Sequence, residues 1–349
     1  MRFKRPLSLA NMMLNRVEVK FKRTHLLSRP IEVMLEPTIG CNSNCVMCTK
    51  RFLRTNAKSP DGFLSWDTLW KIKPFFKYAE RVLFSGFGEP LLHPEYLAMV
   101  KEIKRSGPFV YLYTNGTLLT EEIGKGLTDA GMDRICISIS GATRETYHKI
   151  RGIDAFETVI NNVNEINEYK KRTGKRSPLL SFNVVAMNTV LPELEALVQL
   201  AHEIGVEDMA LPNLIVQSEP MREESPWKDI EKAEKAFQKA KDLAQKLCIT
   251  FWVPRLEVYK KNCTDIFRIS FITWNGKVLS CAQERYMLGD LNENSLASIW
   301  NSDLITQLRK DYYDKGLEAR CQGCPCFENS PESFLNSRIN SREYAIKIT

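Results

Sequence analysis

The sequence predicts an α/β fold: a partial (β/α)6 barrel of the TIM type, followed by a small, irregular, cysteine-rich α+β domain. Three observations carry this. From residue 31, short apolar runs rich in β-formers alternate six times with longer stretches of helical period, separated by turn residues. The unusual stretches CNSNCVMC, GFGEP, TNG and SIS fall at or just after the C-terminal ends of those runs. After about residue 250 the alternation stops, and five of the ten cysteines follow.

In chain order the expected strands are 31–37 (IEVMLEP), 81–86, 110–116, 134–140, 179–186 and 208–214. The expected helices are 65–78, 94–106, 120–130, 155–172, 192–204 and 226–247. Pro94, Pro192 and Pro226 open helical stretches, where a missing N–H costs little. Strand–helix–strand at this spacing implies parallel strands joined by right-handed crossovers. A doubly wound sheet would gather ligands at one crevice. Unusual residues at successive strand ends fit a barrel mouth better. The expected division is a basic N-terminal arm (1–30), the barrel (31–250), a second domain (251–330) and a polar tail (331–349). In the second domain, TFWVP and RISFITWNGKVLS read as strands and SLASIWNS as a short helix.

With 44% hydrophobic and 26% charged residues, the 349-residue chain has ordinary globular composition and too few cysteines for a disulfide scaffold. It shows neither a secretory signal nor an apolar run long enough to span a bilayer. A reducing cytoplasm is the expected setting, where clustered cysteines mean metal or catalysis. The net charge of +7 has one source. Residues 1–29 carry eight basic side chains (Arg2, Lys4, Arg5, Arg16, Lys20, Lys22, Arg23 and Arg29) and one acid, Glu18, so the remainder is formally neutral. The arm reads either as a solvated, partly helical segment packed on the domain or as an apolar face of Leu7, Met13, Leu14, Val17 and Phe21 under cations. Such a face would touch an anionic membrane surface through residues 1–23, or an acidic substrate. No nucleic-acid partner is expected, since the body has neither a basic stripe nor an aromatic platform.

Cys41, Cys45 and Cys48 lie in the loop that opens the mouth. A tetrahedral structural zinc needs a fourth protein ligand, and the nearest histidines, His25 and His93, are distant in sequence. Three thiolates suit a [4Fe–4S] cluster with one iron left free. On spacing alone both remain open. The CxxxCxxC pattern after a first strand, with Gly86-Phe87-Gly88-Glu89-Pro90 after the second, resembles the radical S-adenosylmethionine (radical SAM) superfamily over residues 31 to about 215.

That resemblance implies that Cys41, Cys45 and Cys48 hold a [4Fe–4S] cluster. The free iron would chelate S-adenosylmethionine, and reductive cleavage would give methionine and a 5′-deoxyadenosyl radical. It implies cofactor contacts from Gly86, Phe87, Gly88 and Glu89. Ser138 falls at the family's ribose-binding position, and Arg151 matches a residue that pairs with the methionine carboxylate. A guanidinium suits that task because it offers two parallel donors. Asn115 and Asn183 are weaker strand-end candidates. Met47 stands where the family often has an aromatic residue near the adenine, and a thioether also packs on a ring.

The later cysteines, Cys263, Cys281 in WNGKVLSC, and CQGCPC, resemble the SPASM/twitch extension of the same superfamily. This implies an auxiliary [4Fe–4S] cluster on Cys263, Cys281, Cys321 and Cys324, with Cys326 as substitute or spare. With no cysteine beyond Cys326, the single-cluster form is expected, and zinc is the other reading. Cys136, in a strand, and Cys248, ending a helix, read as ordinary buried thiols.

The resulting expectation is an oxidoreductase or related radical SAM enzyme. It would abstract hydrogen from a substrate carbon and complete a net oxidation or bond formation beside the auxiliary cluster. An external donor such as flavodoxin or ferredoxin would supply electrons. The substrate reads as a small polar, sugar-like or lipid-linked molecule, or as a ribosomal peptide. The peptide reading is weakened by the shortness of the segment before the first strand. A non-enzymatic iron–sulfur electron carrier is the remote alternative. No acid, base or radical partner is named by sequence; Tyr111, Tyr113, His93, Glu284, Arg285 and Tyr286 lie where a pocket is expected.

Overall fold

A computed structural model describes residues 5–52, 62–216, 218–260, 263–281, 287–315, 324 and 328–331. After helix α1 (Pro6–Lys20), strands and helices alternate. They are β1 (Glu32–Leu35), α2 (Trp66–Ile72), β2 (Arg81–Phe84), α3 (Tyr96–Arg105), β3 (Phe109–Thr114), α4 (Glu121–Asp129) and β4 (Arg134–Ser138). Next come α5 (Arg144–Arg151), α6 (Phe156–Thr173), β5 (Leu179–Asn183), α7 (Leu194–Glu203), β6 (Asp208–Ala210), α8 (Glu219–Arg222), α9 (Ile230–Lys246) and β7 (Thr250–Trp252). The remaining elements are β8 (Tyr259–Lys260), α10 (Asp265–Arg268), β9 (Ile269–Ile272), β10 (Lys277–Leu279), β11 (Met287–Asp290), α11 (Leu296–Ile299), α12 (Asp303–Lys315) and β12 (Glu328–Asn329).

Strands β1 to β7 form one parallel sheet in sequence order, an open partial barrel. Alternation along each strand builds two cores, because successive side chains point to opposite faces. Val33 and Leu35, Val82 and Phe84, Ile135 and Ile137 pack outward under the helices. Met34 and Leu83 point into the lumen, where they meet Phe271, Leu279 and the half-buried Tyr111 and Tyr113. Helices α2, α4 and α5 start where Ser65, Thr120 and Thr143 accept from a backbone N–H three residues on, satisfying an orphan donor of the first turn.

Three features differ from the sequence reading. TFWVP supplies β7, which pairs in parallel with β6 (Asp208 opposite Thr250), so the barrel sheet gains a seventh strand. The later hairpin, β9–β10, also joins this sheet. β9 lies parallel to β1 on the side opposite β2, with Glu32 opposite Ile269, and β10 and β11 extend the sheet antiparallel to a total of ten strands. Cys136 is buried as expected, but Cys248 is exposed: it follows α9 with φ of 58°, a left-handed turn that swings its side chain out of the core.

Helix α1 lies beneath the N-terminal ends of the strands, bound by its polar residues. Asn11 Nδ2 donates to the Arg29 and Tyr78 carbonyls, and its Oδ1 accepts from Arg29 N. Asn15 donates to Ser28 Oγ and to the Phe267 carbonyl, while Glu18 accepts from Leu27 N and Ser28 N. Arg5 donates to the carbonyls of Phe76, Ala79 and Ser106. These partners immediately precede β1, β2, β3 and β9, so the helix closes the floor of the barrel.

Candidate active site

The mouth assembles from the loops after β1, β2, β3 and β4. The cysteine loop after β1 is held by α5: Asn44 N donates to Arg151 O and Val46 N to Ile150 O. Gly152, with φ of 68°, ends α5 so close to the loop that a Cβ would stand 2.6 Å from the Asn44 carbonyl oxygen. Glycine is required there on both counts. The GFGEP turn is pressed onto the same loop. A Cβ on Gly88 would lie 2.0 Å from the Thr38 carbonyl oxygen, and Glu89 N donates to Gly40 O at 2.7 Å.

Burial pushes the Cys41 and Cys48 thiols up, and the Cys45 side chain between them adds to that rise in both. The Lys50 cation works in the opposite direction on both thiols, and the Arg151 cation does so on Cys48. Thiols raised in this way are poor nucleophiles at neutral pH and become thiolates when a metal takes the proton's place. Cys45 neighbours both of the others, yet among the described residues no three such side chains converge on a point as ligands of a single ion would. His93 offers no fourth ligand: Nδ1 accepts from Glu95 N, and Nε2 lies 2.9 Å from Leu64 O.

Arg151 fits the anionic groups of a cluster and its cofactor. It is buried, its Nη1 donates to Cys45 Sγ at 3.3 Å, and its Nη2 donates to the Ser138 carbonyl. Its buried Nε has no partner among the described residues. A buried cation with one donor aimed at a thiol and another unfilled calls for negative charge at this spot. Ser138 and Asn183 stand side by side at the ends of β4 and β5, half-buried, their side chains without hydrogen bonds among the described residues. They are open polar groups on the lumen face.

Glu89 also has partners within the protein. Its carboxylate accepts from Thr114 Oγ1 (2.6 Å), Asn115 N (2.7 Å) and Leu91 N (3.2 Å), pinning the GFGEP turn to the end of β3. Burial still pushes its carboxyl up. Asn115 is likewise used up, donating to Asn42 and Ser43 of the cysteine loop and accepting from Thr117.

One residue absent from the sequence reading is central. Glu36, at the end of β1, is 2% exposed and accepts from Phe87 N (2.9 Å) and Trp274 N (3.5 Å), so it joins the GFGEP turn to the β9–β10 turn. The only sequence signal was an acid breaking an apolar run. Burial raises its carboxyl from 4.5 to about 7. The folded state therefore prefers the protonated form. That preference costs nothing below pH 4.5, grows as pH rises to about 7, and then levels off near 3 kcal/mol. Urea unfolding over this range is expected to show the wild type losing about 3 kcal/mol relative to Glu36→Gln, whose amide carbonyl still accepts.

The second cysteine set lies at the other end of the sheet, because β10 runs antiparallel to β9 and carries Cys281 toward the floor. Cys263, Cys281 and Cys324 are close enough that the latter two help raise the first, which burial pushes up to about 12. None of the described cysteines is in a disulfide. Cys321, Cys326, Glu284, Arg285 and Tyr286 lie outside the described residues.

The radical SAM superfamily model matches residues 35–201, and the SPASM iron–sulfur cluster-binding domain model matches 263–325. The chain is 26% identical over 318 residues to the tungsten-containing aldehyde ferredoxin oxidoreductase cofactor-modifying protein of Pyrococcus furiosus, covering 83% of this chain and 86% of that one. It is 27% identical over 323 residues to the AdoMet-dependent heme synthase of Methanosarcina barkeri, covering 85% and 90%. Among solved structures, SuiB of Streptococcus suis bound to S-adenosylmethionine superposes with a TM-score of 0.68 at 16% identity, over 89% of this chain and 74% of that one. The cofactors are S-adenosylmethionine and two iron–sulfur clusters. With the thiol sets at both ends of the sheet and these two matches, the chain belongs to the radical SAM superfamily and carries a C-terminal SPASM-type domain.

Proposed function

We propose that this enzyme cleaves S-adenosylmethionine reductively and takes hydrogen from a carbon of a small polar substrate held in the barrel lumen, completing a net oxidation or bond formation. The observation that carries this is Arg151, buried between Cys45 and the end of β4 with one donor unfilled. When bound, the cofactor and its cluster supply one-electron cleavage of a sulfonium and, with it, abstraction at an unactivated carbon. The protein does the rest. In this reading Cys41, Cys45 and Cys48 hold the first cluster, while Gly86, Phe87 and Gly88 present backbone to the cofactor's amino end. Arg151 holds its carboxylate, Ser138 contacts its ribose, and Glu89 keeps the GFGEP turn in place.

Cys263, Cys281, Cys321 and Cys324 hold the auxiliary cluster at the floor in the same reading. The substrate then lies between the two clusters, above the layer of Met34, Leu83, Phe271 and Leu279. A small cofactor-like molecule is favoured because the relatives sharing most of their length with this chain are named for cofactor modification and heme synthesis. The likeness to SuiB, a structure of which holds a precursor peptide, is one of fold. An external flavodoxin or ferredoxin would deliver the electron.

The test is anaerobic reconstitution with iron and sulfide, then dithionite and S-adenosylmethionine. Formation of 5′-deoxyadenosine is expected, with deuterium moving into it from a labelled true substrate. Two intact clusters without any 5′-deoxyadenosine would leave the protein an electron carrier and end the proposal.

A further inference from the structure

Helix α1 is built inside out. The side chains it buries are Ser8, Asn11, Met12, Asn15 and Glu18, of which only Met12 is apolar. Met12 and Val19 pack inward, but most of its large apolar side chains face outward: Leu7, Met13 and Val17 are each about half exposed, Leu14 is 38% exposed, and Phe21, just past the helix end, is 71% exposed. Leu7, Leu14, Val17 and Phe21 follow i, i+7, i+10, i+14, the spacing of a single helical stripe. The cations Arg16, Lys20, Lys22 and Arg23 are exposed beside it and form no ion pair among the described residues. Glu18, the one acid between residues 5 and 29, is turned inward onto Leu27 N and Ser28 N. A helix that spends its polar groups on the domain and leaves its apolar ones in water has an unpartnered face.

We propose that this face is an interfacial anchor for an anionic lipid bilayer. The Leu14–Val17–Phe21 stripe enters the headgroup–acyl boundary while the four cations pair with the lipid phosphates. Fifteen residues of helix, about 22 Å, lie in the plane of the surface and do not cross it. No described helix is long and apolar enough to span a membrane. Charge decides between lipid and a second copy of the chain. Two such helices packed face to face would set cation against cation with no exposed acid on either segment, whereas an anionic surface complements all four. The anchor lies under the strand N-termini, at the end opposite the cysteine loop. It therefore places the enzyme on the surface with its mouth turned away, and it holds whichever substrate the lumen takes.

The experiment is flotation of the holoenzyme with phosphatidylcholine vesicles, with and without phosphatidylglycerol, which reads no turnover and so stands or falls apart from the catalytic reading. Binding to the phosphatidylglycerol vesicles is expected, falling about tenfold or more in high salt and in Val17→Asp/Phe21→Asp. That variant keeps wild-type circular dichroism and 5′-deoxyadenosine formation. Lys20→Glu/Lys22→Glu, on exposed positions, gives the same loss should the first variant fold poorly. Absence of binding, equal binding to pure phosphatidylcholine, or binding unchanged by both variants overturns the proposal. So does self-association in light scattering that Val17→Asp/Phe21→Asp abolishes, which would give the face to a second copy.

Discussion

Replacing Cys45 with alanine is expected to abolish 5′-deoxyadenosine formation and to lower reconstituted iron from about eight to about four per chain. Cys45 is the most buried of the three mouth cysteines, neighbours both others, and is the one that Arg151 contacts. Losing an outer-shell partner costs a metal site about 10–100-fold, and loss of one of three thiolate ligands exceeds that. Iron analysis with the turnover assay checks it. The matching change at the floor, Cys263→Ala, is expected to remove the other four irons while cofactor cleavage persists. Loss of all eight irons from either variant would mean that the two thiol sets are not independent sites.

Arg151→Met is expected to be nearly as severe, with the first cluster retained. Removing one partner of a buried charged pair costs about 2–5 kcal/mol, which is at least about thirtyfold in kcat/KM for S-adenosylmethionine. The methionine side chain fills the space yet leaves the Ser138 carbonyl and the Cys45 sulfur without their donors. Arg151→Lys separates charge from geometry, because an ammonium cannot offer two parallel donors. Partial recovery of cofactor affinity is the expected outcome. Full recovery would show that charge alone matters, and unchanged kinetics in Arg151→Met would remove Arg151 from the cofactor site.

The parts of the site legible in the sequence were those fixed by local chemistry. Three cysteines in eight residues, two glycines in GFGEP and an arginine before Gly152 each demand something that few other residues supply. The strand positions were likewise legible, because β-rich apolar runs and the turn residues that bound them depend only on neighbours along the chain. What depended on distant partners was not legible. TFWVP looks the same whether it belongs to a barrel or to an appended domain, and only pairing with Asp208–Ala210 decides. That Glu89 also ties the GFGEP turn to the end of β3 was hidden, because Thr114 and Asn115, its donors, come from another strand. Glu36 is unremarkable until Phe87 and Trp274 bring their N–H groups to it. The arm's apolar residues were visible, but the sequence left open whether the arm packs on the domain or presents them outward; it does both. That orientation follows from Asn11, Asn15 and Glu18 finding partners on three different segments of the floor, at residues 27–29, Tyr78 and Phe267.

The position of β1 between β2 and β9 also has a consequence for synthesis. β1 emerges early and finds β2 within fifty residues, but the partner for its other edge, Ile269–Ile272, is made about 240 residues later. At roughly 5–20 residues per second, that edge stays open for some 12–50 seconds on every ribosome. During this interval the strand leading into the cysteine loop is a free template for any extended chain nearby. The newborn barrel is thus most prone to mispairing at the strand that carries its reactive loop, and release from that hazard waits for the last third of the polypeptide.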